Sequence, residues 1–392
     1  MIRLHIPGIP HTIVNSKYSH CAFTGKVQRF IPMMKSVGYE VYFYGTQTSE
    51  TNADLEINLF SLEEFYKMYQ QSYLYLYPTF TEEQIQEKMS DKKAFVGELA
   101  NTETPIYKEF NNRFRKELLR NYRSTSTDIV CLPFGKGHLG AIQGLNVVAV
   151  ETGIGYSDGF LDFRIFESYT WMSNHHAKLN KKIANYWFVC PNYYNILDWD
   201  FNFNPIKNRI GFLGRVCDVK GLWIIYEVAK KMQDIEFIVC GQGDISHIPK
   251  LKNLFYKEPI HGKERSQFLG NLTALLAPSQ FQEPFCGVCV EAQLCGTPVI
   301  TSDHGAFSEN VEPFKSGMRC HTLSDFCYGV QFAIENNFDR HYIRERAVKL
   351  FDMYKVAKKY DYAFSSIIDV YNGNNGWYSD NCHIAKLQNL YD

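Results

Sequence analysis

The chain has 392 residues, 45% apolar and 21% charged, the balance of an ordinary folded protein and more length than one hydrophobic core usually serves. Its 41 Lys and Arg against 42 Asp and Glu leave a formal charge of −1, which gives no support for a nucleic-acid partner, since that usually needs a clearly basic footprint. No apolar run approaches the roughly 18 residues of a membrane-spanning helix, and the opening MIRLHIPGIPH lacks a signal-peptide core, so a cytoplasmic setting is expected, with peripheral membrane contact compatible.

In chain order, residues 2–6 read as a short strand. Phe23, Val27, Phe30 and Met33 then recur at three- and four-residue spacing, which predicts a helix over 20–37 closed by Gly38. Further strands are predicted at 41–44, 128–132, 147–151 and 187–190. Residues 62–127 break the alternation. The stretch 65–80 is dense in tyrosine, and 108–123 is strongly basic, with Phe110, Phe114 and Leu118 every four residues. A membrane-surface or glycan-acceptor face could use such a helix, but a helix packed on a sheet with its charges in water is the favoured reading. The eleven cysteines are odd in number, scattered and often in strands, as small buried residues of a reduced compartment are.

A polar, proline-ended stretch, DWDFNFNP from Asp198 to Pro205, reads as a linker. After it, RIGFLGRVCD at 209–218 is a strand running into Gly214 and Arg215, with Lys220 and Gly221 in the same loop. Leu222, Ile225, Val228 and Met232 mark an amphipathic helix, and FIVCGQG at 237–243 is another strand, ending in Gly241 and Gly243. Such alternation means βαβ units and parallel sheets: one doubly wound domain over 1–198 and another over 206–368. Arg215 and Lys220 thus fall at the carboxyl edge of a parallel sheet, where open α/β sheets bind ligands.

The most informative stretch is EPFCGVCVEAQLCGTPVIT at 283–301. Glu283 and Glu291 flank seven residues that include Phe285, Cys286 and Gly287. A small-residue helix follows, stopped by Gly296 and Pro298. Glycine beside a first helical turn lets backbone N–H groups approach an anion, with the dipole in support. Flanking carboxylates would repel a bare anion but suit a ligand with phosphate in the middle and hydroxyls at both ends. A nucleotide-diphosphate sugar has that form.

These elements together resemble the retaining, GT-B type glycosyltransferases of family four, the glycogen-synthase-like group. The resemblance rests on GR…KG at Gly214, Arg215, Lys220 and Gly221, and on Gly241 and Gly243. It rests also on APS ending at Ser279, the Glu-seven-Glu element, and CGTPVI from Cys295 to Ile300. It covers about 206–370 well and the first half more loosely. It implies an α/β protein of two Rossmann-like domains facing a central cleft, acceptor-side first and nucleotide-sugar-binding second, with 369–392 packing back on the first. The implied activity is transfer of a hexosyl or pentosyl group, with retention, from the nucleotide sugar to a hydroxyl of a glycan, glycolipid or glycoprotein. The nucleotide sugar is a substrate, no cofactor is required, and no obligate protein partner is readable.

By the same resemblance, Arg215 and Lys220 would hold the diphosphate and Glu283 would reach the transferred sugar, which makes these three the catalytic candidates. Glu291 would bind the ribose hydroxyls. Gly214, Gly241, His261, Phe285, Cys286, Gly287 and Val288 would complete the donor site. Many relatives carry a histidine near the reacting sugar in the first domain. Here VVAVETGIGY has Thr152 in that place with Glu151 before it, and His138 in PFGKGH is another acceptor-side candidate. The first βα loop shows His20, Cys21 and Ala22 where paired glycines are usual. Cys286 and Cys289 form C-x-x-C without a second ligand pair, and the Asp198-Trp199-Asp200 run mimics the DxD motif of the other large glycosyltransferase fold, so no metal site is expected. Competing readings are a sugar-nucleotide 2-epimerase, which lacks this motif grammar, and a non-catalytic nucleotide-sugar-binding protein, which the four intact charged residues oppose.

Overall fold

The computed structural model describes all residues except 19–20, 91–95, 125–126, 180–183, 244, 336, 374–375, 389 and 391–392, and only the backbone of 16, 96 and 97. His20 therefore lies outside the described residues. The chain divides into two compact units: Met1–Asp91, Phe95–Tyr193 and Met353–Asp392 make one, and Tyr194–Asp352 the other.

The first unit is built on β1 (Arg3–Pro7), β2 (Glu40–Thr46), β3 (Leu55–Phe60), β4 (Asp128–Leu132), β5 (Val148–Ile154), β6 (Arg164–Phe166) and β7 (Trp187–Val189). They form one sheet in the order β3-β2-β1-β4-β5-β6-β7, with every pairing parallel. Buried parallel strands are apolar on both faces, and β4 shows why. Ile129 and Cys131 enter one core with Val27, Phe30 and Ile31, while Val130 and Leu132 enter the opposite core with Phe110 and Phe114. The basic helix Pro105–Asn121 thus uses Phe110, Phe114 and Leu118 as core, each at most 1% exposed. Its Arg113 bonds Glu109 and Glu64 at 2.7 and 3.0 Å.

The segment 353–368, assigned from sequence to the second domain, belongs to the first. The reason is the apolar stripe of helix Met353–Tyr371: Val356, Tyr360, Ala363, Phe364 and Ile367 are all buried in the core that also holds Phe30. Phe30 and Tyr360 pack edge-on with ring centroids 5.0 Å apart, and Tyr39 donates to Asp361 at 2.8 Å. Lys386, in the tail, pairs with Asp361 at 2.6 Å.

The second unit carries β8 (Arg209–Leu213), β9 (Glu236–Cys240), β10 (Leu254–Lys257), β11 (Ala274–Ala277), β12 (Val299–Ser302) and β13 (Gly317–Cys320). Their order is β10-β9-β8-β11-β12-β13, again parallel throughout. In β11, Ala274 and Leu276 face one core, and Leu275 and Ala277 the other. Both sheets are therefore doubly wound, and each reverses strand order at its centre, between β1 and β4 and between β8 and β11. The expected linker is in fact part of this second unit. Asp200 N–H donates to Ser266 at 2.7 Å, Asn202 N–H to the Cys295 carbonyl at 3.2 Å, and Arg340 to the Asn202 carbonyl at 2.8 Å. Those bonds satisfy a backbone that a free linker would leave to water.

Candidate active site

The switch point of the second sheet gathers the candidate donor residues. β8 ends at Leu213, and Gly214 and Arg215 follow on the loop. Gly214 N–H donates to the Cys240 carbonyl at 3.0 Å, and Val216 N–H to the Gln242 carbonyl at 2.7 Å, which stitches this loop to the one after β9. A Cβ on Gly241, whose φ is +144°, would sit 1.7 Å from the Gly214 carbonyl oxygen, so only glycine permits that stitch. Arg215 is exposed on the loop. Lys220 ends the turn Asp218–Lys220, and Gly221 (φ +82°) opens helix Leu222–Lys231. A side chain at Gly221 would strike the Pro278 carbonyl at 2.1 Å. That close approach brings the loop after β8 against the loop after β11.

There the charges meet. Lys220 Nζ donates to Glu283 Oε1, and Ser279 Oγ donates to the same oxygen at 2.7 Å. Glu283 is 5% exposed, while the Lys220 side chain keeps 21%. Ser302 Oγ holds the Ser279 carbonyl at 2.8 Å, and Ala306 N–H bonds the Glu283 carbonyl at 3.0 Å. Ser279 was legible as part of the APS motif but not as a partner of Glu283, because the two stand four residues apart in an irregular loop whose path no periodicity gives.

Phe285, Cys286 and Gly287 lead into helix Gly287–Leu294, where the Cys289 N–H already bonds the Cys286 carbonyl at 3.1 Å and the N–H groups before it have no preceding helical carbonyl to meet. Phe285 is buried, and its carbonyl accepts from Asn310 Nδ2 at 2.5 Å; Tyr194 OH donates to the Gly287 carbonyl at 3.3 Å. Cys286 takes the left-handed conformation (φ +63°, ψ +72°), a glycine-like geometry held by a cysteine. Its Sγ lies 3.3 Å from that of Cys289, and burial pushes the Cys289 thiol upward. Val288 is half-buried in the same turn. Glu291, on this helix, pairs with Arg265 of helix Gly262–Gly270, whose N-cap is the exposed His261. Arg265 gave no signal in the sequence, since a charge in a short polar helix is usually solvated. Among the described residues no group of three or more His, Cys, Asp or Glu is arranged to hold a metal ion, and no described helix is long and apolar enough to cross a membrane.

The acceptor-side candidates lie in the first unit and are enclosed. Glu151 and Thr152 are inside β5 rather than after it. The Glu151 carboxylate accepts from Phe160 N–H at 2.9 Å, Leu161 N–H at 3.0 Å and Tyr156 OH at 3.1 Å, and burial pushes it up to about 6. Its visible work is to hold the loop after β5. His138 is fully buried, neither ring nitrogen has a hydrogen-bond partner, and burial depresses it to about 3. Unnoticed in the sequence, Lys26 Nζ pairs with buried Glu167 and donates to the Gly153 carbonyl at 2.7 Å.

Residues 195–350 match the family model for glycosyl transferases group 1. Over 112 residues the chain is 34% identical to a 2-deoxystreptamine N-acetyl-D-glucosaminyltransferase of Niallia circulans, covering 25% of this chain and 28% of that one. Over 141 residues it is 26% identical to a D-inositol 3-phosphate glycosyltransferase of Mycobacterium sp. (strain KMS), covering 32% of each. The matches thus span about a third or less of these relatives' length. Among solved structures, Anabaena Alr3699/HepE in complex with UDP and glucose superposes with TM-score 0.63 at 14% identity, covering 93% of this chain and all of that one. AviGT4, a glycosyltransferase involved in avilamycin A biosynthesis, superposes with TM-score 0.61 at 13% identity, covering 95% and 99%. Residues 195–350 are a glycosyl transferases group 1 segment, and the chain has the GT-B fold of two parallel-sheet Rossmann-like domains.

Proposed function

We propose that the chain is a glycosyltransferase that moves a sugar from a nucleoside-diphosphate sugar to an acceptor hydroxyl with retention of anomeric configuration. The observation that carries this is the cluster at the β8/β11 edge. There the Lys220–Glu283–Ser279 network and exposed Arg215 stand at the loop ends that border the first turn of helix Gly287–Leu294. Two cations and a helix N-terminus suit a diphosphate, and carboxylates suit the hydroxyls on either side.

In the reaction, the bond between the anomeric carbon and the β-phosphate oxygen breaks, and its electron pair leaves with the diphosphate. The acceptor oxygen bonds to the same face of that carbon and gives its proton to the departing phosphate. Arg215, Lys220 and the N–H groups of 286–288 stabilise charge growing on the leaving group, an interaction strongest in the transition state. Glu283, next to Lys220, is the carboxylate for the hydroxyls of the transferred sugar, and Glu291 that for the ribose.

The test is a panel of UDP-, GDP- and ADP-sugars with sugar alcohols and simple glycans as acceptors, in excess chelator, the product anomer read by NMR. Transfer with retained configuration is expected. Inverted product would overturn the retaining mechanism, and activity that only manganese or magnesium restores would overturn the role given to Arg215 and Lys220.

A further inference from the structure

We infer that Arg265 is a positioning residue for Glu291, fixing which carboxylate oxygen is offered to the ribose diol of the donor; the inference rests on the donor-site reading above. The guanidinium grips Glu291 by one oxygen. Arg265 Nε donates to Glu291 Oε2 at 2.7 Å, and Nη2 donates to the same atom. A carboxylate has about four acceptor positions, so this grip leaves Oε1 able to accept. Oε1 is turned toward the anion loop: a Cβ built on Gly287 would lie 3.8 Å from it. The pair is partly withdrawn from water, with side-chain exposures of 24% for Arg265 and 12% for Glu291. A planar, forked donor in that setting fixes orientation, which a lysine, as a single point donor, does less well.

The arrangement has a geometric logic. Arg265 projects from helix Gly262–Gly270, and Glu291 from helix Gly287–Leu294, one turn after the loop that approaches the phosphates. Without the guanidinium, Glu291 would be free to rotate among its rotamers, and ordering it would be charged to each binding event. Arg265 therefore affects the ligand's hydroxyl end through Glu291 and leaves its phosphate end alone.

A structural staple between two helices would also involve Arg265, so the test must separate ribose recognition from folding. Titration calorimetry is run with UDP, GDP and ADP; the tightest binder is compared with its 2′,3′-dideoxy counterpart, on wild type, Arg265→Ala, Arg265→Lys and Glu291→Gln. Arg265→Ala is expected to weaken the ribonucleotide about tenfold or more, the scale of a charge-assisted hydrogen bond, and the dideoxy compound less than about threefold. Arg265→Lys should recover part of the loss, and Arg265→Ala should add little on top of Glu291→Gln, as expected of residues acting through one contact. Equal losses for both nucleotides, or full additivity with Glu291→Gln, would overturn the positioning role while leaving the donor site standing. If wild type binds none of the three diphosphates, the donor-site reading fails and this role fails with it.

Discussion

The two sheets have the same winding, yet their carboxyl edges hold charge in opposite ways. At the first, Lys26 and Glu167 pair with 6% exposure each, Glu151 is consumed by its own loop, and His11 and His138 are sealed. At the second, Arg215 is exposed, and Lys220 and Arg265 keep 21% and 24% of their side chains in solvent, beside a helix N-terminus. Topology supplies an edge with diverging loops; the residues on it decide whether it serves a ligand or the fold. The first edge is the better satisfied internally, the second the better equipped to bind.

The sharpest way to break this contrast is to cut one pair in the sealed edge. Lys26→Met leaves Glu167 buried without its cation and should cost about 3–5 kcal/mol of unfolding free energy, measured by chemical denaturation. An unchanged midpoint would mean the first edge is not sealed.

At the open edge, the two glutamates should divide their labour. Glu291→Ala should mainly raise the apparent donor constant, by the equivalent of about 1.5–3 kcal/mol for a charged hydrogen bond. Glu283→Gln should lower turnover more than affinity, the pattern of a contact made chiefly in the transition state. Loss of affinity alone in both variants, with no difference that depends on the sugar, would leave Glu283 a structural loop carboxylate.

Acid should attack the first unit through its buried histidines. His138 is depressed from 6.5 to about 3, so the unfolded chain takes up the proton first. The stability tied to its neutral form is whole above about 6.5 and is lost as pH falls toward 3. His11, also held down to about 3 by burial, acts in the same sense. Glu151, raised from 4.5 to about 6, acts oppositely and favours the folded state as pH falls through that narrower window. His138→Leu should flatten the loss of melting temperature between pH 6 and pH 4; an identical slope would mean that His138 is already protonated or hydrated.

Much of this was legible in the sequence. Strand 128–132, the helix about Phe23 to Met33 and the apolar stripe of Phe110, Phe114 and Leu118 follow from periodicity, because burial imposes it. The loops carrying Arg215, Lys220 and Glu283 follow from glycines placed where strands end. Three things did not. Arg265 acts through a partner on another helix, and Ser279 through one four residues on in an irregular loop, and no local pattern encodes either meeting. Helix Met353–Tyr371 is amphipathic, but periodicity does not say which core receives its stripe. Residues 198–205 look like a linker because their polar groups are satisfied by tertiary bonds the sequence does not display.

The smallest effect concerns Cys286. Glycine would adopt its φ of +63° without a Cβ penalty of about 1–2 kcal/mol, offset in part by the greater freedom of the unfolded chain. Cys286→Gly should therefore stay within about 1 kcal/mol of wild type and keep nucleotide affinity, since the share of the site proposed for it is a backbone N–H. A large loss of affinity would show that the thiol itself takes part.

The donor diphosphate site is proposed at the β8/β11 edge. The direct measurement is calorimetric titration of UDP, GDP and ADP into wild type and Arg215→Ala, with melting temperatures recorded for both. At least one diphosphate is expected to bind wild type. Arg215→Ala, at an exposed position, is expected to change stability by less than about 0.5 kcal/mol and to weaken that ligand at least about tenfold. Equal binding by wild type and variant would contradict this placement and move the donor site elsewhere.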